Sequence, residues 1–302
     1  MSEKAEIKAN IISNKAIGPC FCKLSLRIPE QYHPIMSRFL PGQFAQVAIE
    51  NLGSPANPRF SPRQSVLRKP FSFSSVEITK NHIIAHILYC VLGPGSEKMT
   101  TIKAGDEISM IAPLGTSFTV SDDLETALLV GGGMGAVPLQ SLAEYIHKNH
   151  PKKRMIAFIG ARAVKGLPFF HTHDHLEKGK IVTEIEEFEK YGAKTYIATD
   201  DGSAGVKGFV TELLADKVRE LSIKPENTMI YTCGPEPMMK AVAGFAHKNN
   251  FKCQVSLERM MACGIGLCQS CAVECSQPGQ TETVYKLCCK DGPVFDSAEV
   301  CW

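Results

Sequence analysis

The chain has 302 residues, long enough for two or three domains with separate cores, and its 44% hydrophobic and 21% charged residues are ordinary for a globular protein. Its 33 basic and 31 acidic residues leave a net charge of +2, which argues against a nucleic-acid footprint or a polyanionic partner. No run of about 18 apolar residues exists, and the polar Met1-Ser-Glu-Lys-Ala-Glu6 start lacks a signal peptide's apolar stretch, so no membrane span and a cytoplasmic location are expected.

The first third reads as short strands. Ile7, Ala9 and Ile11, then Leu24, Leu26 and Ile28, alternate with other residues as half-buried strands do. Pro41-Gly42 predicts a turn before a strand at Phe44–Ile49. Residues 51–65 hold three prolines and no periodicity, which predicts an exposed loop. Arg68-Lys-Pro-Phe-Ser72, a strand Ile83–Val91, a Gly93-Pro-Gly95 turn and a strand Ile108–Ile111 follow. Strands of this length with turns between them predict a small antiparallel β-barrel over residues 1–118. Arg68 to Ser72 place positive charge, an aromatic ring and a hydroxyl close together. Such a set can hold a pyrophosphate and a flat ring, or can be a strand with basic residues.

The pattern changes after residue 118. Thr126–Val130 is an apolar strand that runs into Gly131, Gly132, Gly133, Met134 and Gly135, and a helix follows with Pro138 in its first turn. Strands at Met155–Ile159, Thr195–Ala198 and Met229–Thr232 alternate with helices at Val210–Leu221 and Met238–Asn249, and Phe170–Leu176 reads as a short helix. Alternation of this kind predicts a parallel α/β sheet over residues 119–255, covered on both faces. The glycine cluster lies where a strand meets a helix, the place at which dinucleotide phosphates find free N–H groups. Tight strand-to-helix turns use the same residues, so the cluster alone is weak. Gly160-Ala-Arg162 stands where an acidic ribose-binding residue is usual, and leaves NAD against NADP open. Cys233, Gly234 and Pro235 follow another sheet strand, at a carboxyl strand end where open α/β sheets bind ligands. A turn with a buried thiol is the plainer reading there. Asp201-Gly-Ser203 reads as a ribose contact or a simple turn. His171, His173 and His175 cannot all face one way on a helix, and a metal site there is not expected.

The tail, residues 256–302, carries the strongest signal. Seven of the twelve cysteines fall between Cys263 and Cys301. Cys263, Cys268 and Cys271 have the C-x4-C-x2-C spacing of a plant-type [2Fe–2S] cluster, and a distant fourth cysteine follows in the Cys288-Cys289 pair. Four thiolates must converge on two irons, so the loop has to curl tightly. Gly264 and Gly266 permit that and let backbone N–H groups approach sulfur. A structural zinc site and a disulfide framework are the competing explanations. Cys20, Cys22, Cys90, Cys253 and Cys301 read as thiols without assigned chemistry.

Taken in order, these pieces resemble the ferredoxin-reductase superfamily over the whole chain. More narrowly they resemble the electron-transfer subunits of class 1B dihydroorotate dehydrogenase. The resemblance rests on Leu67-Arg-Lys-Pro-Phe-Ser72, Gly131–Leu139, Asp201-Gly-Ser203, Cys233–Met238, Glu258–Cys268 and Cys289-Lys-Asp-Gly-Pro-Val-Phe295. It implies an FAD-binding barrel, a ferredoxin-reductase-like NAD-binding sheet and a C-terminal [2Fe–2S] domain. It further implies that Lys69, Pro70, Phe71, Ser72, Leu88, Tyr89, Cys90, Gly95 and Ser96 line FAD, and that Cys263, Cys268, Cys271 and Cys289 hold the cluster. Cys289 is preferred to Cys288 because the family's fourth ligand precedes the x-Asp-Gly-Pro-Val-Phe segment. Two departures stand out: Lys69 and Cys90 occupy positions where the family usually has arginine. Lysine keeps the charge and loses the bidentate fork, and Arg68 or Arg63 is the expected substitute.

The implied activity moves electrons between NAD(H), FAD and the cluster, on to an FMN-containing catalytic subunit in a heterotetramer of two of each. That partner oxidises dihydroorotate to orotate in pyrimidine biosynthesis. No nucleic acid, no membrane and no general acid–base residue is implied. Two alternatives remain: a related reductase subunit serving a sulfite-reducing or ferredoxin-bifurcating partner, and a nucleotide-binding module with a structural zinc tail.

Overall fold

The computed structural model describes residues 3–49, 67–169, 185–277 and 282–302. Six strands form a closed antiparallel barrel: β1 (Ala5–Ala16), β2 (Phe21–Ile28), β3 (Phe44–Val47), β4 (Lys69–Ile78), β5 (Ile83–Cys90) and β6 (Glu107–Leu114). Their order is β1-β2-β5-β4-β3-β6, and β6 closes back on β1. The alternation that predicts strands is the alternation that fills the barrel. On β1, Ile7, Ala9 and Ile11 are buried while Lys8 and Asn10 are exposed. Each buried Ile or Leu contributes about 1.5–3 kcal/mol relative to leaving it in water.

One local expectation fails. Gly93-Pro-Gly95 is not a free turn, because Pro94 opens a short helix, Pro94–Met99. Proline suits a first helical position, where its missing N–H costs no bond. The Ser96 hydroxyl accepts hydrogen bonds from the Leu92 and Gly93 N–H groups at 2.9 and 3.1 Å, and Met99 is buried in the barrel core. The expected loop at 51–65, Arg63, the expected helix at 170–176 and the three histidines lie outside the described residues.

The second sheet holds β7 (Thr126–Gly132), β8 (Arg154–Ala161), β9 (Ala193–Thr199), β10 (Val206–Lys207), β11 (Thr228–Cys233) and β12 (Lys252–Ser256), all parallel. Their order is β10-β9-β8-β7-β11-β12. The chain builds outward from β7 in one direction and then returns to build in the other. The reversal falls between β7 and β11, where ligands bind in folds of this kind. Both faces are covered. Leu128, Val130, Ile156 and Phe158 pack toward the helices Val210–Glu220 and Glu236–Lys248, while Leu129, Ala157 and Ile159 pack toward the helix Ala136–Asn149.

The tail forms a hairpin of β13 (Ala272–Ser276) and β14 (Thr283–Leu287), then β15 (Val294–Asp296). β15 pairs antiparallel with β12 and so becomes the last strand of the second sheet. It also holds the barrel exit: the Thr116 N–H donates to Gly292 O at 2.6 Å and the Thr116 hydroxyl to Val294 O at 3.1 Å. No helix among the described residues is long and apolar enough to cross a membrane.

Candidate functional site

A cleft of about 570 Å³ opens where barrel, second sheet and tail meet. Lys69, Pro70, Phe71 and Ser72 of β4 line one side, with Leu88, Tyr89 and Cys90 of β5 beside them. Seven of the nine residues expected around a flavin are therefore together. Gly95 and Ser96 are not among the lining residues, since Ser96 is spent on the start of its helix. The opposite wall is Met134, Val137 and Pro138, with Cys233, and the floor runs from Ser256 to Met261. The sequence does not single out the other wall and floor residues as ligand contacts; Pro138 reads there only as a residue of the helix's first turn. Volume and lining suit a flat aromatic ligand with a charged tail, because the walls are largely apolar and Lys69 adds positive charge, whereas Arg259 is paired with Glu236 at 2.9 Å.

Of the two expected substitutes for the family's arginine, Arg63 lies outside the described residues and Arg68 does not line this cleft. Arg68 is turned to the outside of the barrel, where its guanidinium donates to Glu6 at 2.6 Å and to the Ser109 hydroxyl at 3.0 Å. Those same two groups hold the fully exposed Glu6 carboxyl below its usual range, the Ser109 hydroxyl first and Arg68 next. Cys90 instead meets a second thiol, Cys20, at 3.2 Å, and burial pushes its thiol up to about 12.

The glycine-rich stretch starts inside β7, continues as a single turn at Gly133–Gly135 and leads into the helix Ala136–Asn149. Three of its four glycines are required by the chain's own packing, which is the tight strand-to-helix turn that stood beside the phosphate reading. A Cβ at Gly131 would press on Ala136, one at Gly132 on Pro235 and Met238, and one at Gly135 on the backbone of Cys233 and Gly234. Gly133 alone, at φ +53°, has nothing nearer than Gly166 O at 3.9 Å. Cys233-Gly-Pro235 is thus packed against Gly131–Gly135 across neighbouring strand ends, with Cys233 in register with Gly131. Burial pushes the Cys233 thiol well above its ordinary value, so it is neutral in the cleft wall. Asp201-Gly-Ser203 adjoins the end of β8: Ser203 Oγ accepts from the Val164 N–H at 2.8 Å. Arg162 is exposed on the same rim.

The tail brings four thiols together as two pairs. The Cys268 N–H points to Cys263 Sγ at 3.4 Å and the Cys263 N–H to Cys268 Sγ at 3.5 Å. The Cys289 N–H points to Cys271 Sγ at 3.4 Å. Gly264 and Gly266, at φ +69° and +88°, make the turn that allows the first pair. Cys288 is directed away, its Sγ 3.4 Å from Leu257 O. The pairs differ in setting. Cys268 is exposed and its thiol is drawn down to about 6, chiefly by the Ser270 hydroxyl and then by the Cys263 N–H. Cys271 and Cys289 are buried, and burial followed by the Cys271 thiol pushes Cys289 up to about 12. All twelve cysteines are free thiols. Among the described residues no three His, Cys, Asp or Glu side chains converge as ligands of one metal ion. Two pairs match a two-iron cluster, which takes two thiolates per iron.

The comparisons with known proteins agree with this geometry. Residues 258–301 match the family model described as the iron-sulfur cluster binding domain of dihydroorotate dehydrogenase B, and residues 129–244 match the oxidoreductase NAD-binding domain. The chain is 35% identical over 266 residues to the dihydroorotate dehydrogenase B (NAD(+)) electron transfer subunit of Fusobacterium nucleatum, covering 86% of each. It is 32% identical over 298 residues to the subunit of the same name from Lysinibacillus sphaericus, covering 97% of each. In fold it is similar to a chain of the NADH-dependent reduced ferredoxin-NADP oxidoreductase, with TM-score 0.73, 24% identity and 97% and 90% of the two chains covered. A ferredoxin NADP+ reductase from Neisseria gonorrhoeae shares the fold at TM-score 0.54 and 18% identity, over 82% and 92% of the two chains. A barrel and sheet of the ferredoxin-reductase kind, followed by an iron–sulfur tail, thus make an oxidoreductase subunit. The chain belongs to the family of electron transfer subunits of dihydroorotate dehydrogenase B (NAD(+)).

Proposed function

We propose that this chain connects NAD+ to an FMN-containing catalytic subunit that oxidises dihydroorotate, in a cytoplasmic heterotetramer of two of each. FAD, a [2Fe–2S] cluster and NAD(H) are its redox groups. When bound, FAD would supply two-electron chemistry toward the nicotinamide and the cluster one-electron chemistry toward the partner. The protein's part is distance, orientation and exclusion of water.

In this reading residues 1–118 hold FAD, residues 119–255 receive NAD(H) and residues 256–302 hold the cluster. Pro70, Phe71, Leu88 and Tyr89 clasp the flat ring, Ser72 offers a hydroxyl and Lys69 supplies charge for the pyrophosphate. Met134 and the Gly131–Gly135 turn bring the nicotinamide nucleotide to the switch point, with Cys233, Gly234 and Pro235 beside it. The neutral Cys233 thiol leaves that wall uncharged. Cys263, Cys268, Cys271 and Cys289 would hold the cluster, the first pair on the more exposed side and the second in a buried setting. No side chain is assigned as an acid or base, since hydride transfer needs none.

One observation carries the reading. The cleft that holds Lys69–Ser72 is floored by Glu258–Met261, and Cys263 follows two residues later. The flavin wall and the cluster loop are thus one continuous surface. Anaerobic purification of the full chain tests it. Flavin and iron–sulfur absorption bands, bleaching of the flavin by NADH and orotate formation only after the catalytic subunit is added are the expected results. A colourless zinc protein, or strong orotate formation by the chain alone, overturns it.

A further inference from the structure

We propose that Gln46 is a positioning residue for the cluster, and that its side-chain amide donates a hydrogen bond to a cluster sulfur and raises the cluster's reduction potential. The proposal rests on the cluster reading above and extends it to a residue of the barrel.

The argument starts with the alternation of β3. Ala45 and Val47 point into the barrel core, while Phe44 belongs to the core shared with Cys271 and Cys289. Gln46 lies on the Phe44 side of the strand and is 0% exposed. Neither Nε2 nor Oε1 has a hydrogen-bond partner among the described residues, and neither touches solvent. A buried carboxamide with both ends unpaired is unfavourable where an aliphatic side chain would fill the same volume. Gln43, three residues earlier, shows the usual arrangement: its Oε1 accepts from the Leu40 N–H at 2.9 Å and its Nε2 donates to Gly115 O at 3.2 Å.

What lies against Gln46 is the cluster loop. A Cβ at Gly264 would collide with the Cγ, Cδ and Nε2 of Gln46. Gly264 directly follows Cys263. The glycine therefore leaves the space that the amide occupies, and the amide sits against the residue next to the first thiol of the set. A thiolate or sulfide accepts and cannot donate, so the N–H end is the useful one. A donated hydrogen bond favours the more negative, reduced cluster, which raises its potential. The backbone of Gln46 is fixed on the flavin side. It pairs with Pro70 of β4, and its carbonyl accepts from the Arg68 guanidinium at 3.4 Å. One residue thus bridges the flavin-lining strand and the cluster loop.

The test is an EPR-monitored redox titration of the full chain, loaded with FAD and cluster, against Gln46→Leu. At a fixed potential the ratio of reduced to oxidised cluster falls about tenfold, equal to a midpoint about 59 mV lower for a one-electron couple. The flavin midpoint and the iron content are unchanged. If the leucine variant does not fold, Gln46→Met removes the same donor with an unbranched chain. In the unmutated protein, 15N in the glutamine side chains gives a nitrogen coupling to the reduced cluster that persists in Gln269→Asn. A midpoint that does not move in a loaded variant, or no such coupling, overturns the proposal and points to a buried water as the amide's partner. Absence of iron from the unmutated protein ends the cluster reading itself, whereas iron present with an unmoved midpoint ends only this one.

Discussion

In the loop at Gly131–Gly135 the chain presses on itself, whereas in the loop at Cys263–Cys271 it bends around a space lined with thiols. Both stretches read alike in the sequence, as glycines next to residues able to bind something. In the first, the missing Cβ atoms let two strand ends and a helix start approach one another. In the second, positive φ at Gly264 and Gly266 turns the chain tightly enough for Cys263 and Cys268 to meet. The same residue type therefore reports close packing alone at Gly131, Gly132 and Gly135, and backbone conformation as well at Gly264, whose missing Cβ also leaves room for Gln46. Only partner geometry separates the two.

The largest expected effect lies in the second loop. Cys271→Ser or Cys289→Ser should remove most of the iron and the cluster's visible bands, while Cys288→Ser should retain both. Iron analysis with absorption spectroscopy decides it, and equal loss in all three variants would break the two-pair arrangement. Next comes the first loop. Gly135→Ala drives a Cβ into the backbone of Cys233 and Gly234, which cannot give way as a flexible side chain can. A loss of about 3 kcal/mol or more in chemical denaturation is expected. Gly133→Ala, which meets open space at φ +53°, should lose about 1 kcal/mol from conformational strain alone. Similar losses at both positions would show that packing is not what glycine serves there.

A smaller effect separates neighbouring cations on β4 and just before it. Lys69→Ala should weaken FAD binding about tenfold, ~1.4 kcal/mol, by flavin titration. Arg68→Ala should leave the affinity unchanged, because that guanidinium is engaged with Glu6 and Ser109. The reverse order would put the pyrophosphate on the other side of the strand. The smallest effect is a pH dependence away from both loops. Burial holds His86 below its ordinary value despite the Glu77 carboxylate at 3.3 Å. The unfolded chain then binds the proton more readily, so stability is complete above the unfolded pKa of about 6.5 and falls as pH drops toward the lower folded value. Thermal unfolding from pH 7.5 to 5 should show that decline, and His86→Gln should flatten it.

Much of this is legible in the amino-acid sequence. Alternation at Ile7, Ala9 and Ile11, apolar runs such as Leu128–Val130, and the cysteine spacing each carry a local rule into the fold. The iron–sulfur tail is the most readable, since the spacing of Cys263, Cys268 and Cys271 matches a cluster motif that the family model also covers. Other features depend on residues distant in the chain. β15 is only three residues long, and its pairing with β12 makes it a strand. Pro94 reads as a turn residue until the buried Met99 shows what its helix packs against. Gln46 looks like any polar residue on a barrel strand, because its neighbour Gly264 lies more than two hundred positions later. Cys90 and its contact with Cys20 belong to the same class, joined only by the pairing of β2 with β5.

β15 has a consequence beyond the cofactors. Without it, β12 would be the outer rim of a parallel sheet, with unpaired N–H and C=O groups available to any passing extended chain. The segment just after the last cluster cysteine closes that rim, and through Gly292 it also fastens the barrel. Damage that loosens the iron-bearing tail should therefore bring self-association as well as loss of colour. Light scattering of iron-stripped protein would register it.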